Sequence, residues 1–148
     1  MSPKLISMVL IVLLSGVFFP KNKNEEIAIK QIIQSAYVDG IQNNGNLEDF
    51  EEGFHSGFNF LEVHSDMLIK NSIYNWIKSI KDRKLKTPES FVGDKRVTCK
   101  YLLIDITGNS AMAKIQLFRD QKLLFTDYLQ LYKFEEVWKI VSKIYYRH

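Results

Sequence analysis

The chain has one cysteine, Cys99, so it can form no internal disulfide and no multi-cysteine metal site. Its three histidines, His55, His64 and His148, lie far apart with no metal-ligand spacing, and no metal or cofactor is expected. Serine-nucleophile motifs, paired-cysteine motifs and glycine-rich phosphate loops are all missing; "TGNS" at 107–110 reads as a hairpin turn. Charge of one sign is scarce as well. A net charge of +3, spread along the sequence, is too weak for a nucleic-acid footprint. The one basic run, "KDRKLK" at 81–86, reads as a solvated helix end. There is no internal repeat and no low-complexity tract.

What is present is enough for one core. The 148 residues, 46% hydrophobic and 13% aromatic, fit a single domain and exclude a disordered chain. The first segment stands apart. "MSPK" is a positive start, 5–19 is an uncharged apolar run, and "PKNKNEE" is abruptly polar. This is the layout of a secretory signal peptide over 1–20, followed by a domain over 25–148. A spanning helix needs about 20 apolar residues, so no stable membrane anchor is expected. The expected destination is export, periplasmic or secreted. No A-x-A cleavage site is present, which leaves tethering by an uncleaved signal as the alternative.

Asn24 is placed to cap a helix with Glu25 and Glu26 in its first turn. Ile29, Ile32, Ile33, Ala36, Tyr37, Gly40 and Ile41 then recur at helical spacing until "NNGN" at 43–46. Residues 47–54 predict a short second helix, 58–63 a strand and 64–66 a turn. Ser72 caps a third helix with Ile73, Trp76, Ile77 and Ile80 on one face. After "TPES" at 87–90 the period changes to two and stays there. A hairpin about Gly108-Asn109 pairs Ile106 with Ala111, Ile104 with Ala113 and Leu102 with Ile115. Asp105 falls on its other face, beside Lys114, as a surface carboxylate. Helices followed by three or four antiparallel strands make an α+β fold, with the helices on one face of the sheet.

In the last strand Trp138, Ile140, Ser142, Ile144 and Tyr146 share a face, expected to be the core face. Lys139, Lys143 and Arg147 share the other. The position of Asp127 depends on the turn before that strand. A two-residue turn at Glu135-Glu136 sets Leu131 against Ile140 and Asp127 against Ile144, aiming the carboxylate inward. A three-residue turn brings in Thr126, Tyr128 and Gln130 instead. The preceding hairpin, with a two-residue turn at Asp120-Gln121, would ally Tyr128 with Ala113 and Ile115. Burial of Phe125, Leu129 and Leu131, each worth about 1.5–3 kcal/mol, favours Asp127 inside. There desolvation would raise its pKa, and it could act as a general base or acid.

Residues 37–58, 72–80, 104–134 and 138–148 together resemble the nuclear transport factor 2-like superfamily. Within it the resemblance is to bacterial proteins labelled SnoaL-like or putative lumazine-binding. It implies a cone in which three helices pack on a curved antiparallel sheet around a cavity, and a homodimer formed through the outer sheet face. It does not settle activity, because the superfamily holds isomerases, dehydratases and cyclases as well as members that only bind. Relatives usually carry Gly after the acidic residue in both late hairpins; Gln121 and Val137 stand there in this chain, so the last turn's geometry is in question.

The expected function is therefore an exported domain that binds a small apolar or aromatic ligand, with Tyr37, Trp76, Tyr128 and Trp138 as ligand-binding candidates. One alternative is an enzyme resembling ketosteroid isomerases. Asp127 or His55 would move a proton in it, while Tyr37 or Tyr128 donates to an enolate-like oxygen. Another is a purely structural dimerisation domain. The bland readings stand beside these: His55 tying down a loop, Tyr37 and Trp76 as core packing.

Overall fold

The computed structural model describes residues 21–148. The leader read in residues 1–20 lies outside them. Among the described residues no helix is long and apolar enough to cross a membrane.

Helix α1 (Lys21–Ile32) is already running at Lys21, so Asn24 lies inside it and does not cap it. The helix continues over Ile33–Gln42 in a wider π geometry, which buries Ile33, Ala36, Tyr37, Val38 and Ile41. Asn43 ends it. The Asn43 side chain donates to the Val97 carbonyl (2.9 Å) and accepts from the Val97 N–H (2.6 Å), tying the helix end to the start of β3. Asn46 then caps α2 (Leu47–Gly53) by accepting from the Glu48 N–H. Gly53 allows the close approach of these two helices, because a Cβ there would lie 2.1 Å from Ala36 Cβ.

A hairpin, β1 (Phe54–His64) and β2 (Met67–Ser72), separates α2 from α3 (Ile73–Lys86). The alternation of 58–63 was legible, but its partner strand was not. Ser72 caps α3 as expected, accepting from the Asn75 N–H. Strands β3 (Val97–Thr107), β4 (Ser110–Arg119), β5 (Lys122–Phe134) and β6 (Val137–Arg147) complete one six-stranded sheet. Its order is β2-β1-β6-β5-β4-β3, and only the β1–β6 pairing is parallel. The sheet is thus mixed, and β2 is one strand more than the longest expectation. The α+β arrangement of three helices on a curved sheet holds.

Each of the three ladders among β3–β6 contains one extra residue. Leu102 is unpaired between Tyr101 and Leu103, Leu124 between Leu123 and Phe125, and Val141 between Ile140 and Ser142. Such bulges bend the bulged strand and increase its twist, which curves the sheet around the helices. They also switch the face that each strand presents. Ile104 and Ile106 pair with Ala113 and Ala111 as expected, but beyond the first bulge Tyr101 opposes Ile115 and Leu102 is exposed.

The turn before β6 has two residues, because Phe134 pairs with Val137. Val137 is thus the first strand residue. The left-handed conformations fall on Glu135 and Glu136, and on Asp120 and Gln121 in the preceding hairpin.

Candidate functional site

The core between helices and sheet is rich in aromatic rings. Trp76 of α3 packs on Phe58 (5.5 Å between ring centres) and contacts Tyr37, Phe50, Phe54 and Phe60. Within this cluster three polar groups meet. Asp127 on β5 is fully buried. The Tyr37 hydroxyl, from the π-helical turn, donates to Asp127 Oδ2. Lys143 Nζ, from β6, donates to the Tyr37 hydroxyl at 2.8 Å. Lys143 Nζ lies 3.7 Å from Asp127 Oδ2, an ion pair too long to be a hydrogen bond, so Tyr37 bridges the two charges.

The bulges make this meeting possible. With the extra Leu124, Asp127 pairs with Ile115 on the inner face, and Phe125, Leu129 and Leu131 follow it. The Glu135-Glu136 turn alone would have set Asp127 opposite Ile144. With Val141 looped out, Asp127 faces Tyr145. From that point β6 reverses: Lys143 is buried at 7% exposure, while Ile144 and Tyr146 stand outside at 51% and 65%. The expected core face Trp138–Ile140–Ser142–Ile144–Tyr146 therefore holds only at Trp138 and Ile140. The lysine assigned to the outer face is part of the interior.

A pocket of about 150 Å³ opens over this group, lined by Tyr37, Gln42, Phe60, Trp76, Phe125, Lys143, Tyr145 and Arg147. Lys143 Nζ sits among four of those rings, 4.5 Å from the centre of Tyr145, 5.0 Å from Tyr37, 5.5 Å from Trp76 and 5.9 Å from Phe60. Arg147 lies over Phe125, 5.3 Å from its ring centre. The Tyr145 hydroxyl donates to Glu62 Oε2 (2.6 Å), and Asn71 donates to Glu62 Oε1 (2.8 Å). A larger open cleft of about 760 Å³, lined by residues of β1, β2 and β6, shares Tyr145 and Arg147 with the pocket. It contains none of the buried polar groups.

Burial dominates the electrostatics. It raises the Asp127 carboxyl above its ordinary range, although Lys143 and the Tyr37 hydrogen bond pull it down. It lowers the Lys143 ammonium, against the attraction of Asp127. Tyr37 is held well above its ordinary value, by burial first and then by the Asp127 charge. Among the described residues Asp127 Oδ1 has no hydrogen-bond partner. Burial also pushes the Cys99 thiol up to about 12, leaving it a half-buried neutral side chain.

Of the residues singled out in the sequence, Tyr37 and Trp76 line the pocket, and Asp127 lies behind Tyr37, off its wall. Tyr128 is on the outer face beneath Lys114. Trp138 is buried, but its indole N–H donates to Glu25 Oε2 (2.6 Å) at the α1 end of the core. His55 lies where the β1–β6 pairing is interrupted between Phe54 and Asn59. It stacks on Phe134 and accepts from the Gly57 N–H. It therefore holds the irregular stretch of β1 against the start of the last turn. Sequence reasoning missed Lys143, Tyr145, Arg147, Phe60, Phe125 and Gln42. Among the described residues no group of three His, Cys, Asp or Glu side chains is placed to hold a metal ion.

Residues 24–146 match the family described as "Putative lumazine-binding". Three solved structures are similar over most of their length. A nuclear transport factor 2-like protein of unknown function from Shewanella baltica is 27% identical, with a TM-score of 0.68, covering 85% of this chain and 95% of that one. One from Silicibacter pomeroyi is 18% identical, with a TM-score of 0.68, covering 86% and 98%. One from Methylobacillus flagellatus is 22% identical, with a TM-score of 0.61, covering 84% and 93%. No curated protein matches. The curved sheet, the three helices and the match across residues 24–146 agree: this chain belongs to the putative lumazine-binding family of the nuclear transport factor 2-like superfamily.

Proposed function

We propose that the domain binds a small molecule in the pocket over Tyr37 and Lys143. The observation that carries this reading is the pairing of an aromatic wall with two polar groups presented from beneath it. Small-molecule sites likewise combine ring faces with placed polar groups that fix orientation. At about 150 Å³ the pocket is small for that class, with room for about five water molecules at ~30 Å³ each. The ligand is then a compact one, set against Trp76 and Phe60, with a polar atom toward the Tyr37 hydroxyl and Lys143.

Thermal-shift screening with a panel of compact aromatic and carbonyl compounds tests this. Hits should also change the fluorescence of Trp76 in a Trp138→Phe background. Silence across a broad panel would count against the reading. A second reading, proton transfer on a bound substrate, is favoured by the buried chain Asp127–Tyr37–Lys143, which ends at a lysine in the pocket lining. Asp127 would then act through Tyr37. The proposal also includes export through residues 1–20 and a second copy on the outer sheet face, where Tyr132, Ile144 and Tyr146 are exposed. N-terminal sequencing of exported protein and sedimentation test these two points.

A further inference from the structure

Lys143 is a lysine whose amine reaches the pocket from inside the core. Among the described residues its one hydrogen bond runs to a hydroxyl, and the Asp127 carboxylate is held at 3.7 Å. The groups facing it are Asp127, Tyr37, Tyr145 and the rings of Trp76 and Phe60; the charge of Glu62 also acts on it, and Arg147 is a further lining residue of the pocket. We propose that Lys143 captures a small carbonyl compound as an imine, and that the preferred class is a two- or three-carbon α-oxo acid whose carboxylate lies against Arg147. This deepens the ligand-binding reading and rests on it.

The chemistry uses the bridge already present. The Lys143 ammonium gives a proton to the Tyr37 oxygen as Tyr37 gives its own to Asp127 Oδ2, which leaves a neutral amine. Its lone pair forms the C–N bond as the carbonyl π bond opens onto oxygen. A proton passes from nitrogen to that oxygen, giving a carbinolamine. The proton held on Asp127 returns through Tyr37 to the hydroxyl, which leaves as water while the nitrogen lone pair forms the C=N bond. The net change is ammonium plus carbonyl to protonated imine plus water, with Asp127 again a carboxylate. Burial lowers the amine's basicity and so raises its neutral fraction near neutral pH, the usual route to an imine-forming lysine.

The test uses glyoxylate and sodium cyanoborohydride on the purified chain near neutral pH. Reduction converts the imine to a carboxymethyl amine, located by peptide mapping. Lys143 should label faster than the average of the other lysines, because burial leaves more of its amine neutral near neutral pH. Lys143→Met should remove that one site alone. Arg147→Gln should slow glyoxylate labelling about ten-fold, as expected for a lost charge-assisted contact, and leave propionaldehyde labelling unchanged. Were Lys143→Met not to fold, the wild-type map and the Arg147 variant still decide. Labelling spread evenly over the lysines overturns the proposal. Glyoxylate that stabilises the fold without an adduct at Lys143 overturns the imine and leaves ligand binding standing. An adduct at Lys143 in a protein that no panel compound stabilises sinks the reversible-binding reading and supports the amine.

Discussion

Replacing Lys143 by Met keeps the length of the side chain and removes its charge, and the structure sets how the loss should depend on pH. Asp127 is fully buried, with one oxygen on Tyr37 and the other unpartnered. Without Lys143 a carboxylate there has no counter-charge, and breaking a buried pair in this way costs about 3–5 kcal/mol. Protonation caps the cost. A carboxyl with an unfolded pKa of 3.8 can be neutralised at pH 7 for about 4.4 kcal/mol, at 1.36 kcal/mol per pH unit. The folded variant would then hold Asp127 as the acid, with its pKa raised well above the unfolded value.

The sign follows from that. A raised folded pKa contributes stability that is complete below the unfolded pKa and is lost as pH rises through the folded one. Lys143→Met should therefore be no less stable than wild type near pH 4, where protonation of Asp127 leaves the wild-type Lys143 charge buried without its counter-charge. It should fall behind by up to about 1.4 kcal/mol per pH unit once wild-type Asp127 has ionised, reaching about 3–4 kcal/mol near pH 7. Urea unfolding of both proteins across that range, read by tryptophan fluorescence, measures the gap. The double variant Asp127→Asn, Lys143→Met should show no such slope and recover most of the stability, since a neutral pair of similar volume often matches a buried ion pair. A gap that is constant with pH, or a Lys143→Met protein more stable than wild type near pH 7, would refute the buried-pair argument.

Three other outcomes are expected. Tyr37→Phe keeps the ring but removes the hydroxyl that joins Lys143 to Asp127, and should cost about 1–3 kcal/mol in urea unfolding. Gln121→Gly relieves a φ of +61° and creates an Asp-Gly turn. It should raise stability by about 0.5–1 kcal/mol in thermal unfolding, and a loss would mean the Gln121 side chain has a role beyond the turn. His55→Ala should cost no more than about 1 kcal/mol and leave affinity for any pocket ligand within two-fold, because its contacts are Phe134 and Gly57; titration of a hit from the thermal-shift panel checks this.

Much of the architecture was readable because it depends on local pattern. Ser72 before Ile73, Trp76, Ile77 and Ile80 announced a capped amphipathic helix. Ile104 and Ile106 found their partners Ala113 and Ala111 from turn chemistry alone. Phe125, Leu129 and Leu131 put Asp127 inward by burial, and Tyr37 and Trp76 on their apolar helix faces were sound choices for the pocket wall. Strand β2 escaped because "MLIKNS" lies exposed at the sheet edge and shows little alternation. Tyr128, Trp138 and His55 are aromatic or titratable residues on elements that lead elsewhere.

The order of patterns along the chain, helical period first and strand period later, was enough for an α+β domain; the superfamily came from the resemblance of residues 37–58, 72–80, 104–134 and 138–148, and the inward turn of Asp127 from the burial of its apolar neighbours. That information is carried within a few residues of each position. Which groups meet Asp127 was decided only in three dimensions. No Gly or Pro marks Leu124 or Val141 as an extra residue. A bulge forms where the curvature needed to wrap the sheet on its helices outweighs a regular ladder. That curvature is a property of the whole sheet. The bulge at Val141 is what takes Lys143 inside, where it joins Tyr37, a helix residue 106 positions away in the chain.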